Sequence, residues 1–484
     1  MKIKDVFPRY SFNRRVGELY IRGISRDTRL VKRGDLFFVI EGKNVDVFSL
    51  LHSIERKVAA FVIDVKCREK ARDILKNKPL IFVSDIEREF KRCVDVFYPL
   101  DFRRFNIIGV TGTNGKTTTT HLISYLLSKF SIKNALLGTI HYMIGKEKLE
   151  ACYTTPDYLS LRKLLYTIQN RGVEYVVMEV SSHGIQQKRI EGLRFLQCIF
   201  TNLTHDHLDY HKSMSNYFLV KKSLFTDYPC SMCLINIDDK YGRRIFNVLR
   251  KKKYSYGFNE KADYRVMNYR LLRKGLKFVL KIKGVKEQVL VESNLVGRHN
   301  VYNILSSLAS LDRLGFSAEE AVRFIPSFLG LDGRMEGVDE DIFVDYAHTP
   351  VALSNALDTL RECGYDNSIL VFGCGGNRDI KKRSKMGRIA SLKSTFTVIT
   401  SDNPRFEDSR KICGQIEKGF LKNNYCIVLD RRKAIESAIK LKEKYNNCAI
   451  LVAGKGHEDY QVIKNRKIPF KDRKVIKELL KDKR

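Results

Sequence analysis

The residues best suited to chemistry lie where an apolar run meets a glycine-rich turn. The sequence NIIGVTGTNGKTTTT precedes the helical pattern HLISYLLSKF, and strand, loop, helix is the order expected of a nucleotide-binding α/β domain. Gly112 and Gly115 would let backbone N–H groups turn towards phosphates, and the following helix adds a positive dipole at its N-terminus. Lys116 could reach the β- and γ-phosphates, and the Thr117 hydroxyl could ligate Mg²⁺. Val110 stands where the usual P-loop has its first glycine, so this is a variant loop.

Carboxylates and histidines that could bind a metal follow later. Glu179 ends the apolar run YVVMEV, and a carboxylate at the tip of a buried strand beside a P-loop is well placed for a metal or its water shell. The run THDHLDYH suggests a zinc-hydrolase pocket, but Tyr210 interrupts the common pattern H-x-H-x-D-H. We therefore favour His207 as a ligand of a Mg²⁺ site, with Asn202 and Asp206 nearby.

Length and composition exclude several classes of protein. A chain of 484 residues is long enough for about three domains with separate cores. Its apolar runs are short and bounded by charges, so we expect no membrane span, and the N-terminus MKIKDVFPRYSF lacks the apolar segment of a secretory signal. The 11 cysteines show no repeated C-x-x-C, which favours reduced thiols and a cytoplasmic location.

The chain is strongly basic. Lys and Arg outnumber Asp and Glu by 88 to 55, which gives a net charge of +33. Such a charge is typical of proteins that bind nucleic acids or anionic membranes, but here the basic residues are spread along the whole sequence. We favour a compositional bias that attracts small anionic substrates, without a nucleic-acid partner. A basic nucleic-acid-binding P-loop NTPase remains the competing interpretation.

Three regions differ in their patterns: 1–104, 105–333 and 334–484. The first has short apolar runs, such as DLFFVI and AAFVID, among charged turns. In the second, YVVMEV, QCIFTN and SMCLINI alternate with helical patterns, which predicts a mostly parallel sheet covered by helices. The turn-rich GLDGRMEG is a candidate hinge. In the third, IFVDYAH, SILVFGCGG, FTVITSDNP and AILVAGKG end in polar or glycine-rich loops that we expect to face one cleft.

The loop TGTNGKTT, with MEVSSH, FTNLTHDHLDYH and DYAHTP, resembles the Mur ligase family, the ATP-dependent amide-bond synthetases of bacterial cell-wall assembly. The resemblance spans nearly the whole chain and is closest to the ligases that add the third residue of the stem peptide. It implies an α/β protein of three domains. These are an N-terminal α/β UDP-binding domain, a central P-loop domain with a parallel sheet, and a C-terminal Rossmann-like α/β domain. Single motifs are shared with folylpolyglutamate synthetases, which remain an alternative.

The resemblance also implies a UDP-linked substrate. The segment DTRLVKRGDLF is similar to the family's D-S-R-x-V-x-x-G-D-L-F, where the serine contacts the uridine nucleotide, and Thr28 keeps that hydroxyl. In the next loop the family's D-G-H-x-F is replaced by the sequence from Asp46 to Phe48, so the histidine is missing. The residues that the resemblance assigns to this substrate are Thr28, Thr154, Thr155, Ser181, Gln187 and Arg189.

For catalysis and metal binding, the resemblance adds a modified lysine. Lys221 in YFLVKKSLF matches the lysine that the family carbamylates, and a carbamate would turn a cation into an anionic oxygen ligand for Mg²⁺. The implied catalytic residues are Lys116, Lys221 and His207, and the implied metal ligands are Thr117, Glu179, His207 and the carbamylated Lys221. The implied ATP-binding residues are Gly112, Thr113, Asn114, Gly115, Lys116, Thr117, Thr118, Asn300, Asn303, Arg334 and Asp345.

The C-terminal third would bind the incoming amino acid. The loop D-N-P-R usually accompanies meso-diaminopimelate in the family, because an arginine can form two parallel bonds with its distal carboxylate. L-lysine and L-ornithine remain open. The implied residues are Arg378, Asp402, Asn403, Pro404, Arg405, Gly454 and Glu458.

Together these features imply a monomeric ligase that uses ATP and Mg²⁺. It would phosphorylate the side-chain carboxylate of D-glutamate in UDP-MurNAc-L-Ala-D-Glu and couple the acyl phosphate to a diamino acid, in peptidoglycan precursor synthesis.

Overall fold

The computed structural model describes residues 1–41, 46–76 and 78–482. In these ranges the chain folds into two compact units, each with its own hydrophobic core. None of the described helices is both long and apolar enough to cross a membrane. The first unit consists of residues 1–105, 156–173 and 188–190, and the second consists of residues 106–155, 174–187 and those from 191 onwards.

The first unit is a parallel sheet with helices packed against it. Its strands are β1 (Gly23–Ser25), β2 (Asp35–Phe38), β3 (Val58–Asp64) and β4 (Leu80–Val83), and its helices are α1 (Ile3–Val6), α2 (Arg14–Gly17), α3 (Leu51–Ile54), α4 (Arg68–Ile74), α5 (Ile86–Phe97) and α7 (Tyr158–Asn170). The strands pair in chain order. All residues of β2 are buried, as expected for a parallel strand covered on both faces. Helix α5 begins where the Asp85 side chain accepts a hydrogen bond from the backbone N–H of Arg88 at 3.0 Å.

The second unit contains the largest sheet, with the predicted P-loop strand near its centre. Its strands are β5 (Asn106–Thr111), β6 (Asn134–Leu137), β7 (His141–Ile144), β8 (Glu147–Glu150), β9 (Tyr175–Glu179), β10 (Phe195–Phe200), β11 (Cys230–Asn236), β12 (Lys253–Gly257), β13 (Tyr264–Leu272), β14 (Gly275–Ile282) and β15 (Gln288–Ser293). The order is β15-β14-β13-β12-β11-β10-β5-β9-β6-β7-β8. Strands β6 and β9 to β12 run parallel to β5, whereas antiparallel hairpins extend both edges.

Helices cover this sheet and begin beside its functional loops. They are α6 (Lys116–Lys129), α8 (Ser182–Gln186), α9 (Leu208–His211), α10 (Met214–Thr226), α11 (Lys240–Val248), α12 (Arg298–Arg313) and α13 (Ala318–Phe324). Helices α6 and α12 pack together on the core that also buries Ile108, Val110 and Leu308. The predicted order of strand, glycine-rich loop and helix is therefore present at β5 and α6.

A further sheet of the second unit carries the predicted C-terminal loops. Its strands are β16 (Glu336–Asp339), β17 (Ile342–Asp345), β18 (Asn367–Phe372), β19 (Phe396–Ile399), β20 (Tyr425–Ile427) and β21 (Cys448–Ala453), followed by the hairpin of β22 (Tyr460–Ile463) and β23 (Arg466–Pro469). Its helices are α14 (Pro350–Glu362), α15 (Lys381–Lys393), α16 (Ser409–Glu417), α17 (Arg431–Lys442) and α18 (Asp472–Lys481). The order is β16-β17-β21-β18-β19-β20, parallel from β17 onwards. Because parallel strands share one carboxyl edge, the loops after β17, β18, β19 and β21 emerge together.

The candidate hinge GLDGRMEG leads from α13 into β16. Gly333 has a φ of +66°, and a Cβ added to it would lie 2.2 Å from the carbonyl carbon of Gly456. Its carbonyl also accepts a hydrogen bond from Tyr346 N at 2.8 Å. At Gly333 the segment therefore contacts the loops after β17 and β21 through its backbone. The fold predicted from the sequence, α/β with parallel sheets, is confirmed; the antiparallel edges of the large sheet were not predicted.

Candidate active site

The glycine-rich loop leaves no room for side chains at its two turning points. Gly112 has a φ of +155°, and a Cβ there would lie 1.8 Å from Thr201 Oγ1. Gly115 has a φ of +86°, and a Cβ there would lie 2.5 Å from Asn303 Oδ1. Both the backbone conformation and the close neighbours therefore require glycine.

The loop after β10 holds the glycine-rich loop in place. The backbone N–H of Thr113 donates to the carbonyl of Asn202 at 2.8 Å, and the N–H of Asn114 donates to Asn202 Oδ1 at 3.0 Å. The Thr201 hydroxyl donates to the Asn114 carbonyl at 2.7 Å. The phosphate-binding candidate is consequently preorganised by the segment that also carries His207.

Two lysine side chains meet at the base of this loop. Lys116 Nζ donates to the carbonyls of Gly112 at 3.0 Å and Thr113 at 2.8 Å. Lys221 Nζ donates to the same Gly112 carbonyl at 2.8 Å, and its side chain is almost fully buried. Burial lowers the pKa of Lys116, while the carboxylates of Glu179 and Asp206 act in the opposite direction. Burial and then the charge of Lys116 lower the pKa of Lys221 well below its ordinary value, which shifts this side chain towards its neutral form.

Glu179 is a fully buried carboxylate beside this pair. Its oxygens accept hydrogen bonds from the N–H of Thr139 at 2.8 Å and from the Thr139 hydroxyl at 3.1 Å. A Cβ added to Gly138 would lie 2.6 Å from Glu179 Oε1. Thr139 was missed by the sequence analysis, although the glycine and threonine that directly follow a strand were visible in the sequence.

The residues assigned to the UDP-linked substrate divide between the two units. In the second unit, the Thr155 hydroxyl donates to the Glu179 carbonyl at 2.9 Å and lies 3.0 Å from Ser181 Oγ. Thr154 Oγ1 lies 3.1 Å from Thr139 Oγ1. These hydroxyls therefore surround the end of β9. The remaining predicted residues are Gln187, whose side chain donates to the Tyr210 hydroxyl at 3.3 Å, and Thr28 and Arg189, which belong to the first unit.

His207 has a φ of +53° at the start of α9, and its Nε2 lies 3.5 Å from Asp206 Oδ2. The ring contacts that of His183 edge-on, with centroids 5.0 Å apart. Within the part of the chain that the structure describes, no three His, Cys, Asp or Glu side chains are arranged to hold a metal ion.

The candidate donors suit Mg²⁺, which keeps several waters and takes one or two carboxylates plus phosphate oxygens. Glu179 lies close enough to Lys116 for its charge to oppose the lowering of the lysine pKa by burial. Asp206 has the same effect on Lys116 and on Lys221. The buried Thr117 follows Lys116 directly. One carboxylate, one hydroxyl and a lysine that can become anionic fit a hydrated Mg²⁺ that shares phosphate oxygens.

The two asparagines assigned to ATP binding are buried in the first turns of α12. Asn300 Nδ2 donates to the Val296 carbonyl at 2.8 Å, and Asn303 Nδ2 donates to Asn300 Oδ1 at 2.8 Å. Asn303 Oδ1 in turn accepts from the Thr119 hydroxyl at 3.4 Å. This chain of amides ties the beginning of α12 to α6 behind the glycine-rich loop. The predicted Thr118, also on α6, is buried.

Arg334 and Asp345 lie on the side of the C-terminal sheet. The Arg334 guanidinium carbon lies 4.9 Å from the centre of the Tyr346 ring. Its charge lowers the pKa of Lys116, so the two cations share one environment. Asp345 accepts hydrogen bonds from the N–H groups of Met335 at 2.7 Å and Ala347 at 2.8 Å. Burial raises the pKa of Asp345, and Arg334 opposes that rise.

The loops after β19 and β21 meet as expected. Asn403 Nδ2 donates to Glu458 Oε2 at 2.8 Å. Gly454 has a φ of +110°, and a Cβ there would lie 2.9 Å from Asp402 Oδ2. Four of the residues predicted to bind an amino acid are thus brought together, although they come from positions more than 50 apart in the sequence.

The β22–β23 hairpin, which the sequence analysis did not use, holds Arg405. The backbone N–H of Arg405 donates to Val462 O at 3.0 Å, and its carbonyl accepts from Lys464 N at 2.7 Å. Gln461 Nε2 donates to the Asp402 carbonyl at 2.9 Å. These contacts support Arg405 at a φ of +52°, which is costly for a side chain larger than glycine. Arg405 Nη1 donates to Gly376 O at 2.8 Å.

A buried arginine fixes the loop that carries Arg378. Arg383 is inaccessible to solvent and donates to Glu407 Oε2 at 2.7 Å and to Gly375 O at 3.0 Å. The guanidinium lowers the pKa of Glu407 to about 2. Glu407 also accepts from Asn377 N, so the exposed Arg378 extends from a braced turn. The predicted Pro404 is buried against this turn, since a Cβ on Gly376 would lie 1.9 Å from its carbonyl oxygen.

A second buried pair supports the opposite side. Arg431 and Asp472 are both inaccessible, with Nε and Oδ1 2.7 Å apart. Arg431 also donates to Ala453 O at 3.1 Å and to Ser401 O at 3.4 Å. The pair therefore ties together the strand ends from which Asp402 and Gly454 extend.

The sequence is similar to those of known ligases and of two ligase domain families. Residues 110–311 match the Mur ligase middle domain, and residues 333–456 match the Mur ligase glutamate ligase domain. The chain is 39% identical to UDP-N-acetylmuramoyl-L-alanyl-D-glutamate–2,6-diaminopimelate ligase from Clostridium tetani over 100% of both chains. It is 38% identical to the ligase of the same name from Aquifex aeolicus, over 95% of this chain and 94% of the relative.

A solved structure supports the same relationship. The structure of a UDP-N-acetylmuramoyl-L-alanyl-D-glutamate–2,6-diaminopimelate ligase is 28% identical, with a TM-score of 0.67 over 100% of this chain and 99% of the other. On the matched domains, the full-length relatives and the geometry of the glycine-rich loop, the chain belongs to the Mur ligase family.

Proposed function

We propose that this protein joins a diamino acid to the D-glutamate of UDP-MurNAc-L-Ala-D-Glu at the expense of ATP. The observation that carries the proposal is the convergence of Lys116, Lys221 and Glu179 at a loop built to bind phosphates. The relatives that match over their full length are named as ligases of this substrate. The reaction also explains why cations surround a site that must accept two anions.

A carboxylate does not react directly with an amine, because oxide or hydroxide would have to leave. Phosphorylation replaces this poor leaving group by phosphate. The γ-phosphoryl group of ATP is transferred to the carboxylate oxygen of D-glutamate, which gives ADP and an acyl phosphate. An amine of the diamino acid then attacks the carbonyl carbon, and the tetrahedral intermediate collapses with loss of phosphate. Lys116 and the N–H groups of the glycine-rich loop offset the charge on the phosphates.

Mg²⁺ would supply charge neutralisation between the nucleotide and the carboxylate that attacks it. Glu179, Thr117, His207 and a carbamylated Lys221 are the residues that would hold it. Carbamylation joins the neutral Lys221 amine to CO₂ and releases a proton, and the lowered lysine pKa favours that form. Thr139 orients Glu179 through its two hydrogen bonds.

We infer that the added residue is meso-diaminopimelate. The relatives named above are 2,6-diaminopimelate ligases. Arg405 and Arg378 both lie near Gly375: a Cβ added to this glycine would lie 2.9 Å from Arg405 Nη1 and 3.7 Å from Arg378 Cγ. Arginine pairs with carboxylates through parallel hydrogen bonds, which suits the distal carboxylate of this substrate. L-lysine and L-ornithine lack that group.

We also propose a division into three domains, an oligomeric state and a cellular location. Domain limits at 1–104, 105–333 and 334–484 would assign the UDP-linked substrate, ATP and the amino acid to successive domains. We propose a monomer that acts in the cytoplasm, where its nucleotide substrates are made, and that has no nucleic-acid partner.

The test is a coupled assay of ADP release with UDP-MurNAc-L-Ala-D-Glu, ATP and Mg²⁺. We expect release that depends on an added amino acid, strongest with meso-diaminopimelate, and a product whose mass has increased by that residue less one water. Lys116→Met serves as the inactive control. The absence of amino-acid-dependent ADP release with diaminopimelate, lysine and ornithine would overturn the proposal.

A further inference from the structure

Lys455 is a buried cation beside the candidate amino-acid pocket, and the reaction described above does not use it. It follows β21 in the segment GKGHE, and its side chain is 0% exposed. A lysine is rarely buried unless its charge is paired and its hydrogen bonds are satisfied. The groups that contact the Lys455 ammonium therefore show which side chains this lysine positions.

The Lys455 ammonium contacts an oxygen in each of three directions. Its Nζ lies 3.1 Å from Glu458 Oε2 and 3.3 Å from Asn403 Oδ1, and it donates to the carbonyl of Tyr460. An ammonium has three N–H donors, so these contacts use all of them. Two of the partners, Glu458 and Asn403, are residues predicted to bind the amino acid.

These contacts leave one orientation for the Asn403 amide. Its Oδ1 accepts from Lys455 Nζ and from Val462 N, the latter at 2.9 Å, whereas its Nδ2 donates to Glu458 Oε2 at 2.8 Å. A flipped amide would place an N–H₂ group against two donors. The orientation of Asn403 is thus set by Lys455 together with the hairpin backbone.

Glu458 is then left with one oxygen for a ligand. Its Oε2 accepts from both Lys455 and Asn403, and no donor in the described ranges lies within hydrogen-bond distance of Oε1. The side chain keeps 20% of its surface exposed. Glu458 and Lys455 also share one turn, because Glu458 N donates to Lys455 O at 3.0 Å.

We infer that Lys455 is a positioning residue for the amino-acid pocket: its buried ammonium fixes Glu458 and Asn403 so that Glu458 Oε1 faces an incoming ammonium group. This inference rests on the proposed ligase function. Without the ammonium, Oε2 keeps Asn403 as a donor but loses its charged partner. The carboxylate then gains rotational freedom, and a cationic substrate must order it on binding.

The test compares two steps of the reaction in Lys455→Met. Formation of the acyl phosphate, measured by exchange of label between ADP and ATP with the UDP-dipeptide present, does not require the amino acid. We expect this exchange to stay within about twofold of wild type, while the KM for meso-diaminopimelate rises about 10- to 100-fold, the range for loss of a charge-assisted hydrogen bond. The KM for ATP should not change.

Lys467→Met is the matched control. Lys467 lies on the β22–β23 hairpin that Lys455 contacts at Tyr460, 4.5 Å from the centre of the Tyr460 ring. It is exposed, and its substitution should leave the diaminopimelate KM unchanged. If Lys455→Met does not fold, Lys455→Arg replaces it, because a planar guanidinium cannot direct donors at the same three oxygens. An unchanged diaminopimelate KM in a folded Lys455 variant overturns this inference, whereas a wild-type protein without amino-acid-dependent ADP release defeats the proposed function instead.

Discussion

Lys221 Nζ lies 2.8 Å from the carbonyl oxygen of Gly112, the same atom that Lys116 contacts at 3.0 Å. Two cations on one carbonyl repel each other, and the lowered pKa of Lys221 reflects burial first and this repulsion second. Conversion of Lys221 to a carbamate would replace that repulsion by attraction. The electrostatic repulsion between Lys116 and Lys221 in the unmodified protein therefore favours carbamylation of Lys221.

We therefore predict that Lys221→Ala lowers the rate of ligation by about 10²- to 10³-fold, the range for loss of one stabilising group at a charged transition state. The neighbouring, more exposed Lys222 is the matched control, and Lys222→Ala should retain activity. Labelling with ¹³C-bicarbonate should give a carbamate signal in wild type and in Lys222→Ala but not in Lys221→Ala. A carbamate that persists in Lys221→Ala would show that another lysine carries it.

Glu179→Gln should raise the Mg²⁺ concentration required for half-maximal activity. The amide keeps the shape of the carboxylate but removes a negative charge from the site, so we expect a rise of about tenfold or more. Thr139→Val keeps the backbone N–H contact with Glu179 but removes the hydroxyl contacts with Glu179 and Thr154, and it should give a smaller rise. Magnesium titrations of ADP release measure both. Equal Mg²⁺ requirements in wild type and Glu179→Gln would contradict the assignment of Glu179.

Arg405→Ala should change the choice of amino acid. Loss of a bidentate arginine–carboxylate contact costs about 2–3 kcal/mol, or roughly 30- to 150-fold in kcat/KM for meso-diaminopimelate. L-lysine has no distal carboxylate, so its residual activity should fall much less. The measurement is the ratio of kcat/KM for the two amino acids in each protein. An equal loss with both substrates would mean that Arg405 supports the loop rather than selecting the substrate.

The stability of the fold should depend on pH through His121. This side chain is buried, with Nδ1 2.8 Å from the Thr117 carbonyl, and burial lowers its pKa from 6.5 to about 4. The unfolded chain therefore binds a proton at higher pH than the folded one. The contribution to stability is present above pH 6.5 and is lost as the pH falls towards 4, by about 3 kcal/mol in total.

Urea unfolding at pH 7 and at pH 5 should show this loss in wild type. His121→Gln removes the titrating group and should reduce the difference between the two pH values. His52→Gln, at a histidine whose side chain is 69% exposed, should leave the difference as it is. A His121→Gln protein with the full wild-type pH dependence would rule out His121 as the cause.

Breaking the buried pair of Arg431 and Asp472 should destabilise the C-terminal sheet. Arg431→Met leaves Asp472 as an uncompensated buried charge, which costs about 3–5 kcal/mol. The Ser401 and Ala453 carbonyls lose a donor as well. The control is Arg432→Met, because Arg432 is only half-buried and its ion pair with Glu478 lies near the surface. Thermal unfolding of the two variants separates the effect of the buried pair from a general loss of charge. Similar melting temperatures for the two variants would contradict the role of the pair.

The glycine-rich loop and its flanking elements were predictable because local sequence determines them. Glycines at positions 112 and 115 predict unusual backbone conformations, and the apolar run before them predicts β5. The four strand-like runs of the C-terminal third also predicted that the loops after β17, β18, β19 and β21 meet, because parallel strands end at the same edge of a sheet. The roles assigned to individual site residues remain predictions.

The supporting residues were not predictable in the same way. Arg383, Arg431 and Lys455 read as ordinary members of a basic sequence, and only the fold reveals that their charges are buried and paired. The contact of Thr139 with Glu179 joins residues 40 positions apart. Such contacts depend on which strands become neighbours, and no spacing within one segment encodes that choice.

The contact of Gly333 with Gly456 has a mechanical consequence. The two glycines approach so closely that neither position has room for a Cβ atom. An alanine Cβ at Gly333 would collide with the backbone of Gly456, and one at Gly456 would collide with Tyr346, so either substitution would push apart the turn that carries Lys455 and Glu458 and its neighbours. The position of Glu458 in the candidate amino-acid pocket therefore depends on two residues that have no side chain at all.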